Sequence, residues 1–257
     1  MKIFVINLEK DTHKKEIFIK NFSKFNLEYE FIKGVHGKEL NKDELNKKVY
    51  DYKNCFMTDG EIGCALSHLK IYEKMQDEDI SHALILEDDA IFSDEFLEYF
   101  NKFDEFLKDK KEFDMVCFMH QNDEYFKNLT IKIDDFKIYK IAKGVGCYGY
   151  VITKNSAKKL LKINTPLILE ADCWVQFIKM CDLQVYCLDK NIIKTSDFNG
   201  LNSSIGDERH KMGKQKSRAR KSRLRKMGGG RYMIGSLKYR FYYKIYSKFL
   251  VSGDKHK

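Results

Sequence analysis

Three consecutive acids, Glu87, Asp88 and Asp89, follow directly on the apolar run Leu84-Ile85-Leu86. Neighbouring carboxylates repel one another, and beside a buried strand they cost stability unless a cation offsets them. Hard carboxylate oxygens select Mg²⁺ or Mn²⁺, ions that commonly bridge a protein to a diphosphate. The same acids at a helix start would complement its macrodipole, so the pattern has a purely structural reading as well. A second candidate is the stretch Gly60 to His68, Gly-Glu-Ile-Gly-Cys-Ala-Leu-Ser-His. Two glycines opening a helix allow close backbone approach to an anion, and a helix N-terminus attracts phosphate. Ser67 and His68 are neighbours whose side chains diverge on a helix, which excludes a nucleophile–base pair. His68 has the chemistry to donate to a phosphate, or to serve as a satisfied structural histidine. The glycines at 144, 146 and 149 lie in an extended-looking stretch, unlike a dinucleotide fingerprint; they suit either the approach of a sugar or simple packing. Asp172 opens a helix, where an N-cap role is the structural alternative.

These residues need elements to hold them. Met1 to Leu8 is a near-continuous apolar run, the pattern of a strand buried on both faces. A helix follows from Asp11 or Thr12 with Ile17, Phe18, Phe22 and Phe25 at helical spacing, then a strand over 29–33. Residues 60–75 read as a helix and 82–86 as a buried strand that delivers the acidic triplet. A helix from Ser93 carries Phe96, Phe100, Phe103 and Leu107, and strands follow over 114–118, twice within 131–152, and over 184–188. Helices from Asn155 and from Asp172 to Cys181 complete the body. The alternation predicts an α/β/α sandwich with a mostly parallel central sheet, whose ligands would lie beyond the carboxyl ends of its strands.

Charge divides the chain. Residues 209–257 carry 17 Lys/Arg against one acid, a net of +16, whereas the preceding 208 residues carry 30 bases and 37 acids, a net of −7. The expected organisation is therefore a body over 1–208 and a basic, aromatic tail over 209–257. Within the tail, Gly228-Gly-Gly230 reads as a hinge. Beyond it Ile234, Leu237, Phe241, Ile245 and Phe249 share a helical face, with Lys238, Lys244 and Lys248 towards its rim, which suits an anionic membrane interface. Nucleic acid is the competing polyanion. An acidic body with no second basic face argues against it. No run of 18 apolar residues exists, and the N-terminus is too short of apolar residues for a signal peptide. Seven scattered cysteines without a CxxC pair argue against a disulfide framework or a thiolate zinc site, and for reduced, packed thiols.

Taken in order, Ile6-Asn7-Leu8, Gly60 through His68, Leu84 through Asp89 with Phe92, Gly146 through Thr153, Asp172 and Ser203-Ser204-Ile205 resemble glycosyltransferase family 25, bacterial enzymes of lipooligosaccharide outer-core assembly. The resemblance covers about residues 1–206. It implies a GT-A-like Rossmann-type fold, a UDP-sugar donor (most often UDP-galactose), a Mn²⁺ or Mg²⁺ cofactor and inversion at the anomeric carbon. Carried over by residue, Glu87 and Asp89 would hold the metal. Asn7, Ser67, His68, Glu87 and Asp88 would seat the nucleotide sugar, and Asp172 would be the catalytic base. Two positions depart from the family pattern: Lys10, Lys14 and Lys15 stand where an Arg-rich stretch is usual, and Glu170 stands where a Pro usually precedes the later Asp by two residues. The acceptor implied is a lipid-linked oligosaccharide, which gives the tail a purpose: an enzyme in the cytoplasm, peripheral on the inner face of the bacterial inner membrane, with residues 209–257 removable without loss of donor binding. A nucleotide-sugar hydrolase would use the same donor site with water as acceptor.

Overall fold

The computed structural model describes residues 1–196 and 213–253. Ser203, Ser204 and Ile205 and residues 209–212 of the basic segment lie outside the described residues. The body runs β1 (Lys2–Asn7), α1 (Thr12–Phe22), β2 (Glu30–Lys33), α2 (Lys42–Lys48), α3 (Asp59–Asp77), β3 (His82–Glu87), β4 (Ala90–Phe92), α4 (Phe96–Leu107) and β5 (Val116–Phe118). It continues with β6 (Glu124–Ile133), β7 (Phe136–Lys143), β8 (Gly149–Thr153), α5 (Lys154–Asn164), α6 (Trp174–Cys181), β9 (Val185–Cys187) and β10 (Ile193–Thr195). The C-terminal part is a long helix, α7 (Gly213–Tyr246), followed by β11 (Leu250–Ser252).

Nine strands form one sheet in the order β11-β6-β7-β9-β5-β8-β3-β1-β2, and β4 pairs with β10 in a separate ribbon. β1 is parallel to both β2 and β3, and β5 is parallel to β9. β8, β7 and β11 run against these, so six of the nine strands share one direction. Strand alternation sorts neighbouring residues between two apolar layers. Phe4, Ala83 and Ile85 face α3, α5 and α6, while Ile3, Val5, Leu84 and Leu86 face α1 and α4. The second layer is strongly aromatic, with Phe18, Phe22, Phe25, Phe92 and Phe96 meeting largely edge to face. This is the α/β/α sandwich that the sequence predicts.

Beyond α2, β10 and a third strand over 124–153, none of them expected, two differences from the sequence reading stand out. The helix expected from Ser93 begins at Phe96, because Ala90–Phe92 is drawn into an antiparallel ribbon with Ile193–Thr195. More importantly, the basic C-terminal segment is part of the fold. α7 starts at Gly213, well before the aromatic stretch, and breaks at Gly229, whose φ of 47° and ψ of −134° lie outside the helical region. Before the break, Arg223 and Leu224 are buried, and Arg223 donates from Nε to the Ile168 carbonyl at 3.0 Å. Arg220 pairs with Glu170 at 2.8 Å, and Lys216 bonds both Glu61 and Glu170. After the break, the Tyr239 hydroxyl donates to the Ala142 carbonyl, and the rings of Tyr242, Tyr243 and Tyr246 surround Phe126. β11 then adds to the sheet edge on β6. A separable tail from residue 209 is therefore not what the structure shows. Buried acids of the body find their partners in the basic segment, a bond invisible to local composition.

Candidate functional site

Because β1 and β3 are parallel and adjacent, with Ile6 opposite Glu87, their carboxyl ends open onto the same edge of the sheet. That register brings Asn7 beside the acidic triplet, 81 residues away. Asn7 Nδ2 donates to Asp88 Oδ2 at 2.7 Å and to the Asp11 carbonyl at 3.2 Å, linking the start of α1 to the acids. Burial pushes the Asp88 carboxyl up, and the hydrogen bond from Asn7 pulls the other way. Asp89 accepts from the Thr195 hydroxyl at 2.6 Å through Oδ2, while its Oδ1 is buried with no hydrogen-bond partner among the described residues. Burial, then the charge of Glu87, raise the Asp89 carboxyl to about 6. Among the described residues the Asp89 Oδ1 oxygen has no donor, and such an oxygen fits a hard divalent ion.

A cleft of about 550 Å³ opens past the ends of β1 and β2, lined among others by Leu8, Lys10, Lys33, His36, Glu39 and Glu44. Its position outside the carboxyl ends of parallel strands is where open α/β sheets place their ligands.

The Gly60–His68 stretch is put to a different use from the one its glycines suggest. The N-terminus of α3 is closed by a capping box, in which Thr58 accepts from the Glu61 amide and Glu61 from the Thr58 amide. A side chain on Gly63 would come within 2.3 Å of the Val35 carbonyl, so this glycine admits the neighbouring backbone, not an anion. Ser67 is buried, donates to the Gly63 carbonyl at 2.7 Å and accepts from the Val35 amide at 2.8 Å. It pins the segment after β2. His68 is buried as well, with Nδ1 2.7 Å from the Tyr150 hydroxyl and Nε2 3.7 Å from Glu87 Oε1. Burial opposes its charge, but Cys64 and Glu87 more than offset this and lift the imidazole to about 9. His68 therefore faces Glu87 inside the protein and is not placed to donate to a phosphate.

Glu87 Oε1 also accepts from Cys147 Sγ at 2.9 Å, and Cys147 lies 4.0 Å from Cys64. The Cys147 contact and, less strongly, His68 hold the Cys64 thiol down to about 7 against its burial. From sequence both count among the seven scattered, packed thiols that argue against a thiolate zinc site. The available signal was the four-residue spacing of Cys64 and His68, which puts them on one face of a helix.

Asp172 lies just before α6, on a cleft of about 240 Å³ that it shares with Glu61, Glu170, Lys216, Ser217 and Arg220. Its charge acts on both Cys147 and Arg220, so it stands between the acidic end of β3 and α7. Glu170, at the position where the family pattern has a proline, is a buried anchor for α7. Burial would raise it, yet Arg220 and Lys216 hold it at about 2.

The family model for glycosyltransferase family 25 (LPS biosynthesis protein) matches residues 1–175, the stretch that carries Asn7, the acidic triplet and Asp172. A glycosyltransferase 25 family member of Anopheles gambiae is 34% identical over 181 residues, covering 62% of this chain and 28% of that protein. Procollagen galactosyltransferase 2 of Homo sapiens is 24% identical over 178 residues, covering 63% of this chain and again 28% of its own length. The lipooligosaccharide biosynthesis protein lic2B of Haemophilus influenzae is 27% identical over 162 residues, 61% of each chain. The chain thus spans little more than a quarter of the insect and human relatives. With the match running from β1 into the first turn of α6, the chain belongs to glycosyltransferase family 25.

Proposed function

We propose that this chain is an inverting, metal-dependent hexosyltransferase that moves galactose from UDP-galactose to a lipid-linked oligosaccharide at a membrane surface. The observation that carries the reading is Asp89, a partly buried acid with one bare oxygen at the strand end where Asn7 and Asp88 meet. Asp89, with Glu87, would hold Mn²⁺ or Mg²⁺, and such an ion would offset charge gathering on the departing diphosphate. Asn7 would fix Asp88 and the start of α1 around the nucleotide, and the cleft beside β1 and β2 would receive it. Asp172 would accept the proton of the acceptor hydroxyl as that oxygen attacks the sugar C1, a direct displacement without a glycosyl-enzyme. Galactose is favoured because the human relative is by name a galactosyltransferase, and the acceptor class because the Haemophilus relative is by name a lipooligosaccharide protein.

The membrane arm of the proposal rests on α7. Ile234, Leu237, Phe241 and Ile245 are exposed together on its outer face, between 46% and 69% accessible, with Phe249 just beyond. Next to them a groove of about 560 Å³ combines apolar walls, Phe126, Ile163 and Ile178, with lysines at 140, 159, 162 and 179. An apolar surface edged by cations suits anionic lipid, and each basic residue at such a surface contributes about 1 kcal/mol. No helix among the described residues is long and apolar enough to cross a membrane, so attachment would be peripheral. On this proposal the enzyme would work on the cytoplasmic face of the inner membrane.

The test is thermal stabilisation by UDP, UDP-galactose, UDP-glucose and UDP-N-acetylglucosamine, each with Mn²⁺ and with EDTA. The expected result is a metal-dependent shift, largest for UDP-galactose, followed by UDP release that requires an oligosaccharide acceptor. No shift with any nucleotide would remove the transferase reading, and acceptor-independent release would mark a hydrolase.

A further inference from the structure

Cys64, His68, Glu87 and Cys147 each turn one ligand atom towards a common point, and these atoms all lie within 4.8 Å of one another. They arrive from three places: successive turns of α3, the end of β3, and the segment between β7 and β8. The two sulfurs are 4.0 Å apart, Cys147 Sγ is 2.9 Å from Glu87 Oε1, and His68 Nε2 is 3.7 Å from the same oxygen. Ligands held tetrahedrally at about 2.0–2.3 Å from zinc stand about 3.3–3.8 Å from each other. Small side-chain adjustments bring the set to that geometry.

The imidazole is already oriented for ligation. Its Nε2 faces the cluster, buried and without a hydrogen-bond partner, while Nδ1 is held by the Tyr150 hydroxyl, which in turn meets the Tyr72 hydroxyl at 2.6 Å. A second hydrogen bond of this kind fixes ring orientation and tautomer in metal-bound histidines. Two thiols and an imidazole discriminate against Mn²⁺ and Mg²⁺ and favour Zn²⁺.

We propose that Cys64, His68, Glu87 and Cys147 form a zinc site, softer in its ligands than the hard-cation position at Asp89, with which it shares Glu87. Four protein ligands close the coordination sphere, so the ion is structural. It clips α3 to the end of β3 and to the segment before β8. By taking Glu87 Oε1, it also fixes the first acid of the triplet while Asp89 stays with Thr195. The site stands whether or not the chain transfers a sugar.

The test uses the full chain purified under reductant, dialysed against metal-free buffer and analysed for metals by mass spectrometry. A second portion is stripped and reloaded with Co²⁺ alone. We expect about one zinc per chain. The cobalt form should show a thiolate-to-metal charge-transfer band and the strong visible bands of a tetrahedral ion. Cys64→Ser and Cys147→Ser should each lose the zinc and the charge-transfer band, whereas Asp89→Asn should retain both, which separates this site from the donor site. Should the cysteine variants fail to fold, the cobalt spectrum of the unaltered chain still decides. Weak octahedral cobalt bands, zinc retained by both cysteine variants, or a Cys64–Cys147 disulfide in metal-free native protein would each overturn the proposal.

Discussion

Replacing Asp89 with Asn should make the metal-free protein more stable while removing its response to metal. The Asp89 carboxyl is raised from the ordinary 3.8 to about 6, first by burial and then by Glu87. A carboxyl raised in the folded state binds its proton more tightly there than in the unfolded chain, so folding loses stability as pH climbs through that interval. At about 1.4 kcal/mol per pH unit the full cost above pH 6 is about 3 kcal/mol, and at pH 4 only about 0.5 kcal/mol. Water on the exposed side of the carboxylate reduces the neutral-pH figure, which leaves about 1–3 kcal/mol. Asparagine keeps the shape and can still accept from Thr195, so the substitution removes charge without opening a cavity. For a chain of this size the expected gain is roughly 3–10 °C in Tm at pH 7.5 in EDTA, shrinking towards nothing near pH 4. Mn²⁺ should stabilise the natural protein and leave Asp89→Asn nearly unmoved. A variant equally stable or less stable at pH 7.5 in EDTA would refute the reasoning, as would a gain that does not depend on pH.

Two further outcomes concern α7. Glu170→Gln leaves Arg220 and Lys216 facing a neutral amide in a buried setting, and urea unfolding should show a loss of about 3–5 kcal/mol. Because the Glu170 carboxyl is held at about 2, its contribution is complete above the unfolded pKa near 4.5 and drains away as pH falls towards 2, so natural protein and variant should converge in acid. On the outer face, the pair Ile234→Asp and Phe241→Asp should leave circular dichroism unchanged. Sedimentation with phosphatidylglycerol vesicles should drop at least about tenfold, since each exposed apolar side chain contributes about 1.5–3 kcal/mol on burial. Undiminished vesicle binding would detach the membrane arm from this helix.

Much of the molecule is legible in local sequence, and the reasons are physical. β1 and β3 announce themselves because burial on both faces demands near-continuous apolar runs, and α4 because Phe96, Phe100, Phe103 and Leu107 repeat at helical spacing. The acidic triplet stands out because charge directly after such a run needs an explanation. What stays hidden depends on partners distant in the chain. The first half of α7 has few large apolar residues, and its burial comes from Glu61 and Glu170, which no window around Lys216 contains. β4 exists because Ile193–Thr195 returns to pair with it. His68 reads as a phosphate donor on a glycine-opened helix, yet Gly63 serves backbone contact and the side chains of Ser67 and His68 turn inward. Cys64 and Cys147 look like isolated thiols until the sheet brings them together.

The pairing of β11 with β6 also governs how the protein can be made and cut. β6 is the longest strand of the sheet, and without β11 its outer row of amides and carbonyls would be open along Glu124–Phe126, where Ser252–Leu250 now bonds. Open edges of this kind recruit other chains. On the ribosome, that edge emerges long before its cover, so the nascent protein passes through a stage in which part of its sheet is complete and unprotected. A truncation ahead of α7, attractive if the segment were a mere anchor, would make that stage permanent and leave a protein prone to self-association.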